Sequence, residues 1–401
     1  MIRTAATPEN HQNRSPYDRQ RTESSLGTEF MPDSNITPPC FAGFARGYYN
    51  RGMDRVALPI AQTSGEAAPW DQSVTGPRDI RAVRTMRISV TDRCNFRCVY
   101  CMPEDKMDWV QRDRILSFEE ILAVAKAAAG LGITSFKITG GEPLVRQGVP
   151  DLLRMLAALP CDPELSMTTN GALLVRDAAA LLDAGLHRLT VSLDTLDPDR
   201  FRAITRGANI DQVWAGIRAA VDAGFKHPKI NCVTMKGIND DEFATFAGLT
   251  LETDLTIRFI EYMPLGRTAL GGEYEKRFIG ETEIRQRIAE RFGDLVPSER
   301  DAGLGPAVVW RIPGALGRIG FISAMSKPFC ETCNRLRLTA EGQLRSCLFD
   351  GGEVELRPIL RDGDAQPDRT SRLRDAFVRC VAFKPEVHSY HGTRQMSQIG
   401  G

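Results

Sequence analysis

From about residue 80 onward the chain repeats one unit: a short apolar strand, a turn, then an amphipathic helix. Residues 87–91, 136–139, 166–169, 189–193, 230–235 and 256–261 read as six strands. Helical patterns lie between them. Ser117, with Glu120 three residues later, is a capping box opening a helix that runs to about Gly130. Val213, Ile217 and Val221 recur at four-residue intervals before Gly224, as do Ile284, Ile288 and Phe292 before Gly293. Strands alternating with helices imply parallel βαβ units, because a parallel neighbour is reached only through a crossover. Six units rather than eight predict an α/β fold built as a partial (βα)6 TIM-type barrel. A flat doubly wound sheet is the alternative.

The pattern changes at both ends. Residues 1–77 are rich in Pro, Ser, Thr, Asn and Gly without a sustained period, so a disordered N-terminal extension is expected. Within it Phe41, Phe44, Tyr48 and Tyr49 are either a docking segment or incidental, and Met31 or Met53 are alternative starts. Beyond about residue 294, residues 307–312, 318–324, 335–339 and 343–348 read as short strands joined by tight turns. They predict a small C-terminal region, mostly antiparallel or irregular. The expected divisions are 1–77, 78–294 and 295–401.

Charge is balanced, with 51 basic and 51 acidic residues, which argues against a nucleic-acid partner. No apolar run reaches transmembrane length, so no membrane span is expected. The N-terminus lacks a signal-peptide core. Arginines 3, 14, 19 and 21 suit a mitochondrial transit peptide, whereas Glu9, Asp18 and Glu23 do not. The expected compartment is the cytoplasm, or the mitochondrial matrix for a eukaryotic source.

Chemistry concentrates in a few turns. Cys94, Cys98 and Cys101 fall within eight residues, directly after the first strand. Four thiolates would fully ligate a 4Fe–4S cluster; three leave one iron open to a substrate or cosubstrate. On the residues alone, a zinc site with a distant fourth ligand and a chance cluster stay open. Cys330, Cys333 and Cys347 form a second triplet, where zinc competes evenly because His388 or His391 offers a fourth ligand. Six of ten cysteines in two tight groups read as metal ligation in a reducing compartment rather than as disulfides.

Arg335 and Arg337, two apart on a strand, point the same way and suit a phosphate or other anion. Arg87, Lys137, Lys229 and Arg258 also lie on strands, where a buried unpaired cation is costly. Facing a barrel interior they require an anion such as a triphosphate; on solvated strand ends they require nothing. Gly140-Gly141-Glu142-Pro143 follows the second strand. Its glycines admit a ligand close to the backbone, and Glu142 offers a carboxylate to an ammonium group. These turns share the strand-end position at which parallel barrels gather their chemistry. Gly400 and Gly401 are slim enough to enter a cleft; the alternative is a frayed end.

Cys-x-x-x-Cys-x-x-Cys after a first strand, with Gly-Gly-Glu-Pro after the second, resembles the radical S-adenosylmethionine superfamily. The run from Arg87 to Pro103, the second triplet, Arg335-Leu336-Arg337 and the Gly-Gly end resemble the GTP 3′,8-cyclase family, molybdenum cofactor biosynthesis protein A. The resemblance covers about residues 78–401. It implies that Cys94, Cys98 and Cys101 hold a 4Fe–4S cluster that binds S-adenosyl-L-methionine, with Tyr100, Gly141, Ser192 and Met263 lining this cosubstrate. It implies that Cys330, Cys333 and Cys347 hold a second 4Fe–4S cluster, which meets the guanine of GTP. Arg87, Lys137, Thr168, Lys229, Arg335 and Arg337 match GTP contacts. Some relatives carry arginine where this chain has Lys137, and lysine cannot fork across two phosphate oxygens.

The implied reaction cleaves S-adenosylmethionine to a 5′-deoxyadenosyl radical, which takes hydrogen from C3′ of GTP. The C3′ radical attacks C8, giving (8S)-3′,8-cyclo-7,8-dihydro-GTP, the first step of molybdenum cofactor (molybdopterin) biosynthesis. A one-electron reductant and a downstream cyclic pyranopterin monophosphate synthase are implied partners, and a homodimer is compatible. The rivals are a peptide-modifying radical enzyme and a non-enzymatic metal-binding module; the arginine pair favours a nucleotide over a peptide.

Overall fold

The computed structural model describes residues 76–105, 107–298, 305–349, 352–362 and 368–400. The expectations made for residues 1–75 and for Gly401 lie outside the described residues.

Six parallel strands form the centre: β1 (Thr85–Ser89), β2 (Ser135–Thr139), β3 (Glu164–Thr169), β4 (Arg188–Ser192), β5 (Lys229–Thr234) and β6 (Thr256–Glu261). They are hydrogen-bonded in sequential order. A doubly wound sheet reverses its strand order at a switch point; this one does not, so the partial barrel is correct and the flat alternative is not. Between these strands run α1 (Phe118–Ala129), α2 (Val149–Ala157), α3 (Leu174–Asp183), α4 (Pro198–Thr205), α5 (Ile210–Ala223) and α6 (Phe243–Glu252). After β6 come α7 (Tyr274–Arg277) and α8 (Glu281–Phe292).

Local chemistry sets the helix limits. The Ser117 hydroxyl accepts from Glu120 N at 3.2 Å, and the Glu120 carboxylate accepts from Ser117 N at 2.7 Å, closing the capping box of α1. At the end of α5, Gly224 takes φ of 114°, a left-handed conformation that costs glycine nothing.

The strands obey a period of two. Met86, Ile88, Phe136, Ile138, Leu165, Met167, Leu189, Val191, Ile230 and Cys232 are buried in the main core with α1 residues Ile121 and Val124 and α5 residues Val213 and Ile217. The alternate residues are therefore left to face the barrel interior, and most of these are polar or cationic.

The C-terminal segment does not build a sheet of its own. It contributes β7 (Val296–Pro297), β8 (Val308–Arg311), β9 (Arg318–Ile322), β10 (Arg335–Leu338), β11 (Gln343–Arg345) and β12 (Glu353–Glu355). β9 pairs parallel to β6 at one edge, and β10 pairs parallel to β1 at the other. Antiparallel pairing makes up the rest, giving the order β12-β11-β10-β1 through β6-β9-β8-β7. The short helices α9 (Arg357–Leu360) and α11 (Met396–Ile399) flank α10 (Arg369–Ala382) in sequence. α10 buries Leu373, Phe377 and Val381 in the main core. The parallel joins at both edges bring β10 and its cysteines back beside β1.

Candidate active site

The register aligns the inward-facing cations. Arg337, Arg87 and Lys137 stand side by side on β10, β1 and β2, and the row continues through Ser166 to Arg188. A second row joins Ser192, Asn231 and Arg258 across β4, β5 and β6. Gly320 lies next to Arg258; a Cβ there would approach Arg258 Cγ to 3.1 Å, so the glycine leaves room for the arginine stem. Both rows line one cavity of about 300 Å³, together with Thr168, Lys229, Arg335 and the three cysteines Cys330, Cys333 and Cys347.

Like charges side by side on one sheet face destabilise it, and burial compounds the cost. Burial lowers Lys137 well below its usual value, and Arg258, Arg87 and Lys229 push it further. Burial holds Lys229 down to about 8, with Arg258 the strongest repelling charge. Arg337 falls to about 9, through burial and then Arg335, and Arg258 to about 10 through burial. Thr168 Oγ1, Asn231 Oδ1 and Arg258 Nε are buried without hydrogen-bond partners. A cationic wall with unpaired polar atoms fits a polyanion with further hydrogen-bonding groups.

The Gly-Gly-Glu-Pro turn packs directly against the start of the cysteine loop. A Cβ on Gly140 would lie 2.6 Å from Thr91 O, and one on Gly141 would lie 2.5 Å from Asp92 O. Gly141 N donates to Thr91 O at 2.7 Å and Glu142 N to Arg93 O at 2.8 Å. The glycines let the root of the cysteine loop pack against this turn. Gly141 is accordingly not among the cavity-lining residues. Glu142 turns inward, accepting from Thr169 Oγ1 at 2.7 Å, Asn170 N at 2.6 Å and Leu144 N at 3.1 Å. Burial pushes its carboxyl up to about 7. Three internal donors hold it in this orientation. It holds Asn170, whose Nδ2 donates to Asn95 Oδ1 at 2.8 Å beside Cys94.

The end of α4 fixes the other side of the loop. Arg97 N donates to Thr205 O, and Val99 N to Ile204 O. The Arg206 guanidinium then reaches the carbonyls of Arg97, Met102 and Pro103. Cys94, Cys98 and Cys101 are half-buried. Burial pushes the Cys94 thiol up to about 11, Cys101 to about 12 and Cys98 well above its usual value. A metal centre is what holds such thiols as thiolates. Tyr100 lines the cavity with Ser192 and Met263. Its hydroxyl donates to Asp194 Oδ2 at 2.8 Å, and burial pushes Asp194 up to about 6.

At the second triplet, burial acts to raise the Cys333 thiol, but Arg335 and Lys384 outweigh it and bring the thiol down to about 6. His388 is not a fourth ligand. Its Nδ1 accepts from Tyr390 N at 3.1 Å, so Nε2 carries the proton and donates to Ala324 O at 2.8 Å. His391 is exposed. Among the described residues no group of three or more His, Cys, Asp or Glu converges on a single metal ion. A three-thiol set is compatible with a cluster that keeps one iron open.

Sequence reasoning did not reach Asp194, Asn231 or Lys384. Asn231 was signalled by its position two residues after Lys229 on the same strand face.

Residues 88–249 match the Radical SAM superfamily, and residues 255–390 match the family described as Molybdenum Cofactor Synthesis C. The GTP 3′,8-cyclase of Pelotomaculum thermopropionicum is 45% identical over 325 residues, 80% of this chain and 98% of the relative. The chain belongs to the GTP 3′,8-cyclase family. Other GTP 3′,8-cyclases are similar: that of Moorella thermoacetica is 47% identical over 80% of this chain and 98% of its own, and that of Pseudomonas syringae pv. syringae 48% identical over 78% and 92%. The crystal structure of Streptococcus suis SuiB shares the fold, with a TM-score of 0.50 and 13% identity over 79% of this chain and 77% of its own. Membership of the radical S-adenosylmethionine superfamily implies a 4Fe–4S cluster and S-adenosylmethionine for this GTP 3′,8-cyclase family member. No helix among the described residues is long and apolar enough to cross a membrane.

Proposed function

We propose that the chain cyclises GTP to (8S)-3′,8-cyclo-7,8-dihydro-GTP, the first step of molybdenum cofactor biosynthesis. The observation that carries this reading is the single cavity in which buried strand cations face a cysteine triplet. A triphosphate neutralises those cations; a neutral peptide does not.

Cys94, Cys98 and Cys101 are assigned to the first cluster, and Cys330, Cys333 and Cys347 to a second. When bound, the first cluster and S-adenosylmethionine supply a hydrogen-abstracting carbon radical, and the second cluster an open iron for the guanine. The chain's own residues bind and align. Arg87, Lys137, Lys229, Arg335 and Arg337 neutralise phosphate, and Thr168 Oγ1 gives its unpaired hydroxyl to the nucleotide. Tyr100, Ser192 and Met263 border the cosubstrate end of the cavity, while Gly141 acts through the loop it seats. Lining residues on the six central strands hold a bound nucleotide in one orientation, and positioning of this kind supplies much of the rate gain. A one-electron reductant, a cyclic pyranopterin monophosphate synthase acting on the product, and a reducing cytoplasmic setting complete the proposal.

The test is an anaerobic assay of reconstituted, reduced protein with S-adenosylmethionine and 3′-deuterated GTP. The expected result is 5′-deoxyadenosine carrying deuterium, in step with a cyclised nucleotide. Deoxyadenosine without deuterium, and no cyclised product, would overturn the proposal.

A further inference from the structure

Lys384 lies just past α10 and is 2% exposed. An ammonium has three N–H donors, and here each finds an acceptor. Nζ lies 2.7 Å from Arg335 O, 3.1 Å from Cys333 O and 3.3 Å from Cys333 Sγ. None of the three is a carboxylate. A buried ammonium is costly unless a negative charge faces it. Of these acceptors only the sulfur can carry a full charge, which it does as a ligand thiolate.

The lysine is not free to swing away. Lys384 N donates to Val381 O at 3.0 Å, and Lys384 O accepts from Arg78 Nε at 2.8 Å. Four residues on, the backbone N–H of His388 faces Cys330. The His388 ring is anchored to Ala324 O and stacks on Phe349 with centroids 4.2 Å apart. One short segment thus touches two of the three cysteines and is pinned at both ends.

We propose that Lys384 is a positioning residue for the second cysteine triplet: its ammonium orients the Cys333 sulfur and stabilises the more negative, reduced state of the group held there. The proposal rests on the second cluster assigned above. Hydrogen bonds to ligand sulfur and nearby charge are the levers by which a protein sets a cluster's potential. The two carbonyl contacts add a geometric role, tying the ammonium to the backbone on both sides of Asn334.

The test uses the full chain in a Cys94→Ala/Cys98→Ala/Cys101→Ala background, where the second triplet alone can hold iron. Iron and sulfide are counted, and the midpoint potential is followed by paramagnetic resonance. In Lys384→Gln, which keeps a donor without the charge, the cluster is expected to load with its midpoint moved negative. In Lys384→Met loading is expected to fall by half or more. Lys384→Arg should return both values toward the background. A Lys384→Gln midpoint equal to the background overturns the electrostatic role, even if Lys384→Met fails to fold. A background protein that holds no iron–sulfur overturns the two-cluster reading itself, a result distinct from an unmoved midpoint.

Discussion

Arg337 Nη1 donates a 2.5 Å hydrogen bond to the carbonyl of Gly400. This bond joins the cationic wall at β10 to the final turn of the described chain. On the same turn the Ser397 backbone N–H faces the Cys101 sulfur. α11 therefore reaches toward the first cysteine group, while the residue after it is held by Arg337, whose charge is coupled to Cys347 and Cys333 of the second.

Gly400→Val tests whether that turn aligns the site. Gly400 has φ of 73°, and a Cβ there would lie 3.0 Å from Thr139 Cγ2 and 3.1 Å from Ser89 Cβ. Left-handed backbone costs an L-residue roughly 1–2 kcal/mol before any overlap. The expected outcome is cyclised product reduced about tenfold or more, with iron content unchanged. Normal product formation would mean that this turn does not align the site.

Lys137→Met is expected to stabilise the ligand-free protein while weakening GTP binding. Burial and its neighbours Arg258, Arg87 and Lys229 all act against the Lys137 charge. An apolar side chain of similar length removes that repulsion, so the melting temperature should rise. A charge-assisted hydrogen bond is worth about 1.5–3 kcal/mol, so the dissociation constant should rise about tenfold or more. A melting temperature that falls together with unchanged affinity would contradict both halves.

The pH dependence of binding follows from Lys229. Burial holds it at about 8 in the free protein. A bound triphosphate favours its charged form and raises that value. The complex then holds more protons than the free site between the two values, so binding takes up protons and affinity falls as pH rises above 8. Calorimetry at pH 8.5 in Tris and in Hepes should give enthalpies that differ with the sign of proton uptake. Equal enthalpies in the two buffers, or affinity rising with pH, would show that Lys229 does not meet the anion.

The six central strands were legible because each interrupts helical periodicity with a short apolar run; β6 spans residues 256–261 as read. The cations were legible because lysine or arginine inside such a run is anomalous. β7 and β12 are two and three residues long, too short to show a period, and exist through their partners' hydrogen bonds. α10 escaped notice although Leu373, Phe377 and Cys380 keep helical spacing, because arginines crowd the positions between them. The inward turn of Glu142 depends on Thr169 and Asn170, and the role of Lys384 on Cys333, 51 residues away. Such pairings come from tertiary contact and leave no local trace.

The two cysteine groups should also differ in the apoprotein. Burial raises Cys94 to about 11, whereas Arg335 and Lys384 overcome burial and lower Cys333 to about 6. At pH 7 Cys333 is then mostly thiolate, and its thiolate fraction exceeds that of Cys94 by about 10⁴. Intrinsic nucleophilicity runs the other way, since a Brønsted slope of about 0.5 over this difference returns roughly 300-fold to Cys94. The net expectation is that iodoacetamide labels Cys333 about thirtyfold faster, helped by its position on the cavity wall. The advantage should grow as pH falls toward 6 and level off below it, because both thiols then lose thiolate in step, and it should shrink as pH rises, reversing by about pH 9 as the Cys94 thiolate fraction grows. Peptide mapping after timed labelling of apoprotein reads both residues in one digest. Equal labelling at pH 7 would show that the cations beside Cys333 do not govern its charge.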